Sequence, residues 1–349
     1  MLQLLLGGSG SGKTTLLYQR IRARAEKGEK SILLVPEQFT SSTEGRIYRE
    51  LGDALSGMVE SFSFTSLAEK ILSTEGGAAV QTLSDAGRAV LVRRALEELQ
   101  DHVHYYYRHR RSAAFCQMAA QTIDELKSAG LSGQQLYRLA QGCGSGSGKL
   151  TELALILQGY ETLLAGTGMD PSDRLELAAD RLEAALARGS LPEFLQDRAV
   201  FIDEFDTFNA PKKRLLAALL TALPQVTVAL CDDGTPLVPG DTGLFAGAKQ
   251  MARKSGTEVH APELLRRDLR HKGAPGLAAV TRLLEGGSAE ETQAPEVRLF
   301  PAASREEEAR CAAAAIRRLM RQGVRCSKMA VVCRNIPDYR AAIRYEFRM

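Results

Sequence analysis

Residues Gly7, Gly8, Ser9, Gly10, Ser11, Gly12, Lys13 and Thr14 spell G-x-x-x-x-G-K-[ST] directly after the apolar run Leu4–Leu6. Glycines let a backbone wrap closely and aim its N–H groups at phosphate oxygens, and a helix opening there adds partial positive charge. In this motif the lysine reaches the β- and γ-phosphates and the hydroxyl ligates magnesium. The octet therefore predicts a strand, a phosphate-binding loop and a helix over Thr14–Ala25, with ATP and Mg²⁺ as ligands. Ser31–Val35 reads as a second buried strand and Met58–Ser61 as a third, which makes the opening a parallel α/β sheet.

From residue 83 to 190 the period changes. Leu83–Leu99, Phe115–Leu126, Leu150–Leu164 and Pro171–Leu186 all carry apolar residues near a 3.6 spacing, and Asp170-Pro171 is an N-cap followed by proline at the first helical position. Strands return at Ala199–Ile202, Val226–Leu230 and Glu258–His260. The polar stretch Gly286–Pro295 reads as a linker. It is followed by Val297–Phe300, a helix over Glu306–Arg321 and Met329–Cys333, a further strand–helix–strand opening. The expected division is thus a P-loop domain at 1–82 and 191–290, an all-helical insertion at 83–190, and the start of a second α/β domain at 291–349. Some 55 residues cannot close such a domain, since one βαβ unit alone takes about 30, so the sequence reads as part of a longer protein.

Ala199–Ile202 runs into Asp203 and Glu204, with Asp206 beyond. An apolar strand ending in an acidic pair suits the second half of a nucleotide site: Asp203 holds Mg²⁺ through water and Glu204 polarises the attacking water. Gly144–Lys149 imitates the first motif, but Cys143 stands where its first glycine belongs and Leu150 replaces the hydroxyl. It reads as a loop between helices.

Composition excludes other classes. The net charge of +3 over 349 residues is too mild to announce nucleic acid by itself. No apolar run approaches the roughly 20 residues needed to span a bilayer, and six scattered cysteines form no CxxC pair. A cytoplasmic location and reduced thiols are expected. Tyr105–Arg111 interleaves aromatics with cations in the manner of single-strand binders, although a solvated basic helix junction has the same composition.

Two further segments narrow the type. Val35-Pro-Glu-Gln38-Phe-Thr40 follows the second strand, and Ser61-Phe-Ser-Phe64-Thr65-Ser66-Leu67-Ala68 follows the third. Hydroxyls and amides suit phosphates and bases, and a phenyl ring suits stacking, so Gln38, Thr40, Phe64 and Thr65 are the candidate contacts to single-stranded DNA. Taken with the P-loop, Phe201-Ile-Asp203-Glu204-Phe205 and the Ser304-Arg-Glu-Glu-Glu308 helix, the order resembles the AddB (RexB) subunit of AddAB-type helicase–nucleases. The resemblance runs from Met1 to the end of the chain and covers roughly the amino-terminal third of such a subunit.

The resemblance implies a RecA-like, superfamily-1 helicase-like fold and an AddA-type partner in a heterodimer. It also implies a role in processing double-strand breaks for homologous recombination and DNA repair, with inspection of a Chi-type hotspot. The family's iron–sulfur nuclease domain, and with it exonuclease activity, is implied only for the carboxyl-terminal part, and no cysteine here is assigned to a cluster. The chain departs from superfamily-1 motors at several points. No adenine-gripping amide motif precedes the loop, no glutamine follows Asp203-Glu204, and the echo of a coupling motif at Cys231-Asp232-Asp233-Gly234 lacks its glutamine. The arginine motif expected near Arg266–Arg270 does not take the motor form. These departures suit a non-motor that binds ATP and is at most a weak ATPase. The competing reading is a stand-alone P-loop ATPase or nucleotide kinase, and the arginine-rich lid of a kinase is not found.

Overall fold

The computed structural model describes residues 1–77, 81–144, 146–231, 243–284, 287–288, 290–291 and 293–348. In chain order the elements are β1 (Leu2–Leu6), α1 (Lys13–Ala25), β2 (Ser31–Leu34), α2 (Thr40–Leu51), α3 (Asp53–Ser56), β3 (Val59–Phe62) and α4 (Phe64–Glu75). Helices α5 (Asp85–Glu98), α6 (Ala113–Ser128), α7 (Gly133–Gln141), α8 (Ser147–Ala165) and α9 (Pro171–Ala187) follow. Next come β4 (Ala199–Ile202), α10 (Ala210–Ala222), β5 (Val226–Leu230), α11 (Gly243–Lys254) and β6 (Glu263–Leu264). The remaining elements are α12 (Pro275–Leu284), α13 (Arg305–Arg321) and α14 (Ile336–Glu346). The chain divides into two compact units, Met1–Arg270 and His271–Met349.

The first unit is built on a six-stranded parallel sheet in the order β3-β2-β4-β5-β1-β6. The four inner strands β2, β4, β5 and β1 are short and mostly apolar, as expected of a sheet covered on both faces, whereas the edge strands β3 and β6 carry Glu60 and Glu263. Alternation along β1 divides the core: Leu2, Leu4 and Leu6 join the helices of one face, among them α4, α9 and α10. Leu5 points the other way, to Leu17, Tyr18 and Ile21 of α1 and Ile47 and Leu51 of α2. Five strands stand where the sequence predicts them. At Glu258–His260 the structure forms only the isolated bridge Leu2–Val259, and the last strand is instead β6, two residues long, paired with Leu5 and Leu6.

The helical stretch has its own core of α5, α6, α7 and α8, centred on the buried Tyr160. Helix α9 leaves it: Leu175, Ala178, Ala179 and Leu182 belong to the core of the sheet. A polar hub ties the two together. The Tyr160 hydroxyl donates to Asp170 at 2.7 Å, and the Lys127 ammonium bridges Asp170 and Asp173, each at 2.7 Å. The glycine-rich imitation near 144–149 is not wholly loop, because Ser147–Lys149 is the first turn of α8; Ser145 lies outside the described residues.

The second unit is helical among its described residues. Arg310 of α13 pairs with the buried Glu346 of α14 at 3.1 Å. The strands expected at Val297–Phe300 and Met329–Cys333 do not form. A parallel strand is defined by its ladder, and neither segment finds one; Leu299 and Val332 stand 94% and 90% exposed. Gly286, Ala289 and Thr292 of the expected linker lie outside the described residues.

Candidate functional site

The parallel sheet brings the carboxyl ends of β1, β5 and β4 to one edge, in register through Leu6–Leu230 and Ile202–Val228. The glycine loop therefore leaves β1 one strand away from the acidic pair that leaves β4. Gly10 and Gly12 hold φ of +81° and +93°, values that L side chains rarely adopt. The loop is also crowded from above: a Cβ on Gly7 would lie 2.4 Å from the Leu265 carbonyl oxygen, and one on Gly10 2.6 Å from Cβ of Arg270. That covering segment is fastened by Leu265 N–H donating to Leu6 O at 2.7 Å and Leu269 N–H to Gly10 O at 3.0 Å. The Arg270 guanidinium donates to Ser9 Oγ at 3.0 Å.

Helix α1 opens at Lys13 on Gly12, with no side chain capping its first N–H groups. Such a terminus attracts anions. The buried Lys13 ammonium turns back and donates to Gly7 O and Gly8 O, each at 2.7 Å. Ser11 Oγ is buried and has no hydrogen-bond partner among the described residues. The loop thus presents unspent donors and one orphaned hydroxyl in a glycine cradle, which fits a phosphate group.

Asp203 is buried, accepts from the Glu204 N–H at 2.9 Å and hydrogen-bonds the Thr14 hydroxyl. Burial pushes its carboxyl above the usual range, against the pull of Thr14, the Glu204 amide, Arg46 and Lys13. Glu204 sits in the left-handed region at φ +65°; its carboxyl is also raised, first by burial and then by Asp203. Arg46 of α2 lies 3.7 Å from Glu204 and stacks 5.0 Å above the Tyr18 ring. Burial lifts the Tyr18 phenol to about 12. Together Gly10, Lys13, Thr14, Arg46, Asp203 and Glu204 line much of a cavity of about 430 Å³. A hydroxyl and a buried carboxylate side by side are an oxygen donor set for a hard divalent cation.

Sequence reasoning missed Arg46, which belongs to no motif; Arg270 ends the Arg266–Arg270 segment that does not take the motor form of the arginine motif, yet the fold still brings it to the cavity. Asp232, Asp233 and Gly234, the echo of the coupling motif, lie outside the described residues.

The second candidate cluster follows β2 and β3. Gln38 is exposed on a short 3₁₀ turn, Glu37–Phe39, and Thr40 opens α2 with its hydroxyl donating to Glu37 O at 2.7 Å. Exposed Thr65 donates to the Glu37 carboxylate at 2.8 Å. Phe64 corrects the expectation of a base-stacking ring. It is fully buried, edge-on to Phe205 at 5.2 Å and to Phe208 at 6.0 Å. The ring that reaches solvent beside Gln38 is Phe39, 36% exposed. Lys212 caps the cluster, 5.7 Å above Phe205 and 6.0 Å above Phe64. Two residues where a strand grip would favour an arginine or an aromatic have structural duties. Ser66 closes the capping box of α4 with Ser63, and Glu69 pairs with Arg174.

Among the described residues, no helix is long and apolar enough to cross a membrane. A family profile described as "ADDB, N-terminal" matches residues 4–280. Three similar proteins, each named as a subunit of an ATP-dependent helicase/deoxyribonuclease, come from Symbiobacterium thermophilum, Desulforudis audaxviator and Moorella thermoacetica. They are 31%, 33% and 32% identical over 97%, 99% and 99% of this chain. The chain spans 31%, 31% and 32% of their lengths, about a third of each. With the profile covering most of its length, the chain belongs to the AddB amino-terminal family.

Proposed function

We propose that Met1–Arg270 is a P-loop, RecA-like nucleotide-binding unit that grips ATP–Mg²⁺ and presents a single-stranded-DNA-contacting edge, as the amino-terminal part of an AddB-type subunit. The observation that carries this reading is the pairing of the Thr14 hydroxyl with the buried Asp203 at the mouth of the glycine cradle. The backbone N–H groups of residues 8–14, with Lys13, would take the phosphates. Thr14 and Asp203 would hold magnesium, which when bound screens the phosphate charge. Lys13 needs only to exchange the carbonyls of Gly7 and Gly8 for a phosphate oxygen.

The unit binds ATP and is at most a weak ATPase. Glu204, the residue placed to orient water, is paired with Arg46, and the glutamine that motors carry after the acidic pair is absent. The resulting reading is a non-motor subunit partnered by an AddA-type helicase–nuclease in the cytoplasm. It would inspect the unwound strand for a Chi-type hotspot during recombinational repair, through Gln38, Thr40 and Thr65, with Phe39 as the ring. The iron–sulfur and nuclease functions would reside in the carboxyl-terminal part of the family's subunit. The test is equilibrium titration with a fluorescent ATP analogue, with magnesium and with EDTA. Lys13→Ala should lose a charge-assisted contact of about 1.5–3 kcal/mol, and equal affinity for the two proteins would remove the site.

A further inference from the structure

The loop between α5 and α6 carries a surface that the nucleotide site does not use. Between Asp101 and Asp124, and again between Glu125 and Glu152, the sequence holds no aspartate or glutamate. In a chain of net charge +3 this is a marked local asymmetry. The first of these stretches supplies Arg108 and Arg111, both exposed and both without an ion-pair partner among the described residues. The second supplies Lys149, on the first turn of α8.

The loop is held in one shape. Glu152, buried in α8, accepts from three consecutive backbone N–H groups, those of His104, Tyr105 and Tyr106, at 2.9–3.2 Å. Its charge is spent on the loop's own backbone. Tyr106 stacks on Phe115 at 5.9 Å and both pack against the helical core, while the exposed His109 leans on the Phe115 ring at 5.4 Å. Arg110 covers Tyr107 at 3.9 Å. Tyr105 is turned outward, 54% exposed, with the Lys149 ammonium 5.4 Å from its ring. A ring displayed on a pinned loop, with Lys149 beside it and Arg108 and Arg111 further along the same loop, has the chemistry of single-strand recognition: the π-face takes a base and the cations take phosphates.

We propose that Tyr105, Arg108, Arg111 and Lys149 form a second contact site for single-stranded DNA, on the helical insertion and separate from the Gln38 edge. The proposal rests on the reading that this chain contacts single-stranded DNA. The glycine-rich imitation of the phosphate loop then has a use, because its lysine is the cation beside the stacking ring.

The experiment titrates the full chain into fluorescein-labelled oligothymidylate of roughly 20 nucleotides, followed by anisotropy over a range of salt. Tyr105→Ala should weaken binding about 5- to 100-fold with an unchanged salt slope, and Tyr105→Phe should retain wild-type affinity. Arg108→Gln with Arg111→Gln should flatten the salt slope by about 1.4, at roughly 0.7 per phosphate contact on a single strand. Gln38→Ala with Phe39→Ala, read in parallel, reports the other edge. If those two weaken binding while the Tyr105 and arginine variants match wild type, the second site is overturned and the functional reading stands. If wild type fails to bind the oligonucleotide, both are overturned. All four residues are exposed, so unchanged circular dichroism and melting accompany a supporting result; unfolding of Tyr105→Ala would overturn the assignment of that ring to the surface.

Discussion

Arg46 of α2 and Glu204 at the end of β4 approach to 3.7 Å across the mouth of the candidate nucleotide cavity, and Arg46 is fixed there by the Tyr18 ring beneath it. The same helix α2 begins at Thr40, on the edge proposed to meet DNA. One rigid element therefore touches both candidate ligand sites. Glu204, held at φ +65°, has its carboxylate aimed at a cation instead of lying free for water.

From this pair we expect Arg46→Gln to raise the Glu204 pKa further, since Arg46 is the group that lowers it. Carboxyl-carbon NMR titration of Glu204 in wild type and variant measures the change. Both side chains are about one-third exposed, so the cost to stability should stay within about 1 kcal/mol. An unmoved Glu204 titration would show that the pair does not form in solution.

Phe64 and Phe39 should separate cleanly by substitution. Phe64→Ala removes a fully buried ring packed against Phe205 and Phe208, so urea unfolding should show a loss of about 3–5 kcal/mol. Phe39→Ala sits on an exposed turn and should stay within about 0.5 kcal/mol of wild type while weakening single-strand binding. The reverse pattern would return the stacking role to Phe64.

These two rings also show where sequence reading reaches its limit. β1, β2, β4 and β5 are legible because strands buried on both faces are short, mostly apolar runs. The glycine loop is legible because its chemistry is local, eight residues in a row. Phe64 is misread because a ring at the start of a helix looks the same whether the helix presents it outward or inward. The answer lies at Phe205 and Phe208, about 140 residues away. Arg46 reaches the cavity only through the fold, and nothing beside it in sequence marks it; Arg270 lies in a segment without the motor form of the arginine motif, and only the packing of that segment over the glycine loop shows its place. The segments at Val297–Phe300 and Met329–Cys333 have strand composition, but a strand exists only with a neighbour, and composition does not supply one.

Glu152→Ala should be costly although it removes a single side chain. Three loop N–H groups lose their acceptor at once, and a partly buried unpaired donor costs about 1–3 kcal/mol. Urea unfolding should show a loss of about 2–3 kcal/mol, with faster amide exchange at His104–Tyr106. Unchanged exchange at those three amides would mean that Glu152 does not hold the loop.

The acidic pair gives a pH prediction whose sign follows from burial. The folded-state pKa values of Asp203 and Glu204 are both raised, with burial the largest cause. A carboxyl whose folded pKa lies above its unfolded value stabilises the fold below the ordinary carboxylate range, near pH 4, and that contribution is lost as pH rises through the raised folded value. At neutral pH the two charges therefore work against the chain without nucleotide, a cost that a bound cation would offset. Asp203→Asn keeps the carbonyl that accepts from the Glu204 amide and removes the charge. It should raise the melting temperature of the nucleotide-free chain at about pH 7, with the gain shrinking as pH falls toward about 4. The same substitution removes a proposed magnesium donor and should weaken ATP–Mg²⁺ binding by about 10- to 100-fold. Melting curves between about pH 4 and 8, paired with the nucleotide titration, read both effects. A variant destabilised at neutral pH would show that Asp203 is stabilised as a carboxylate by its neighbours, and the argument from burial would fail.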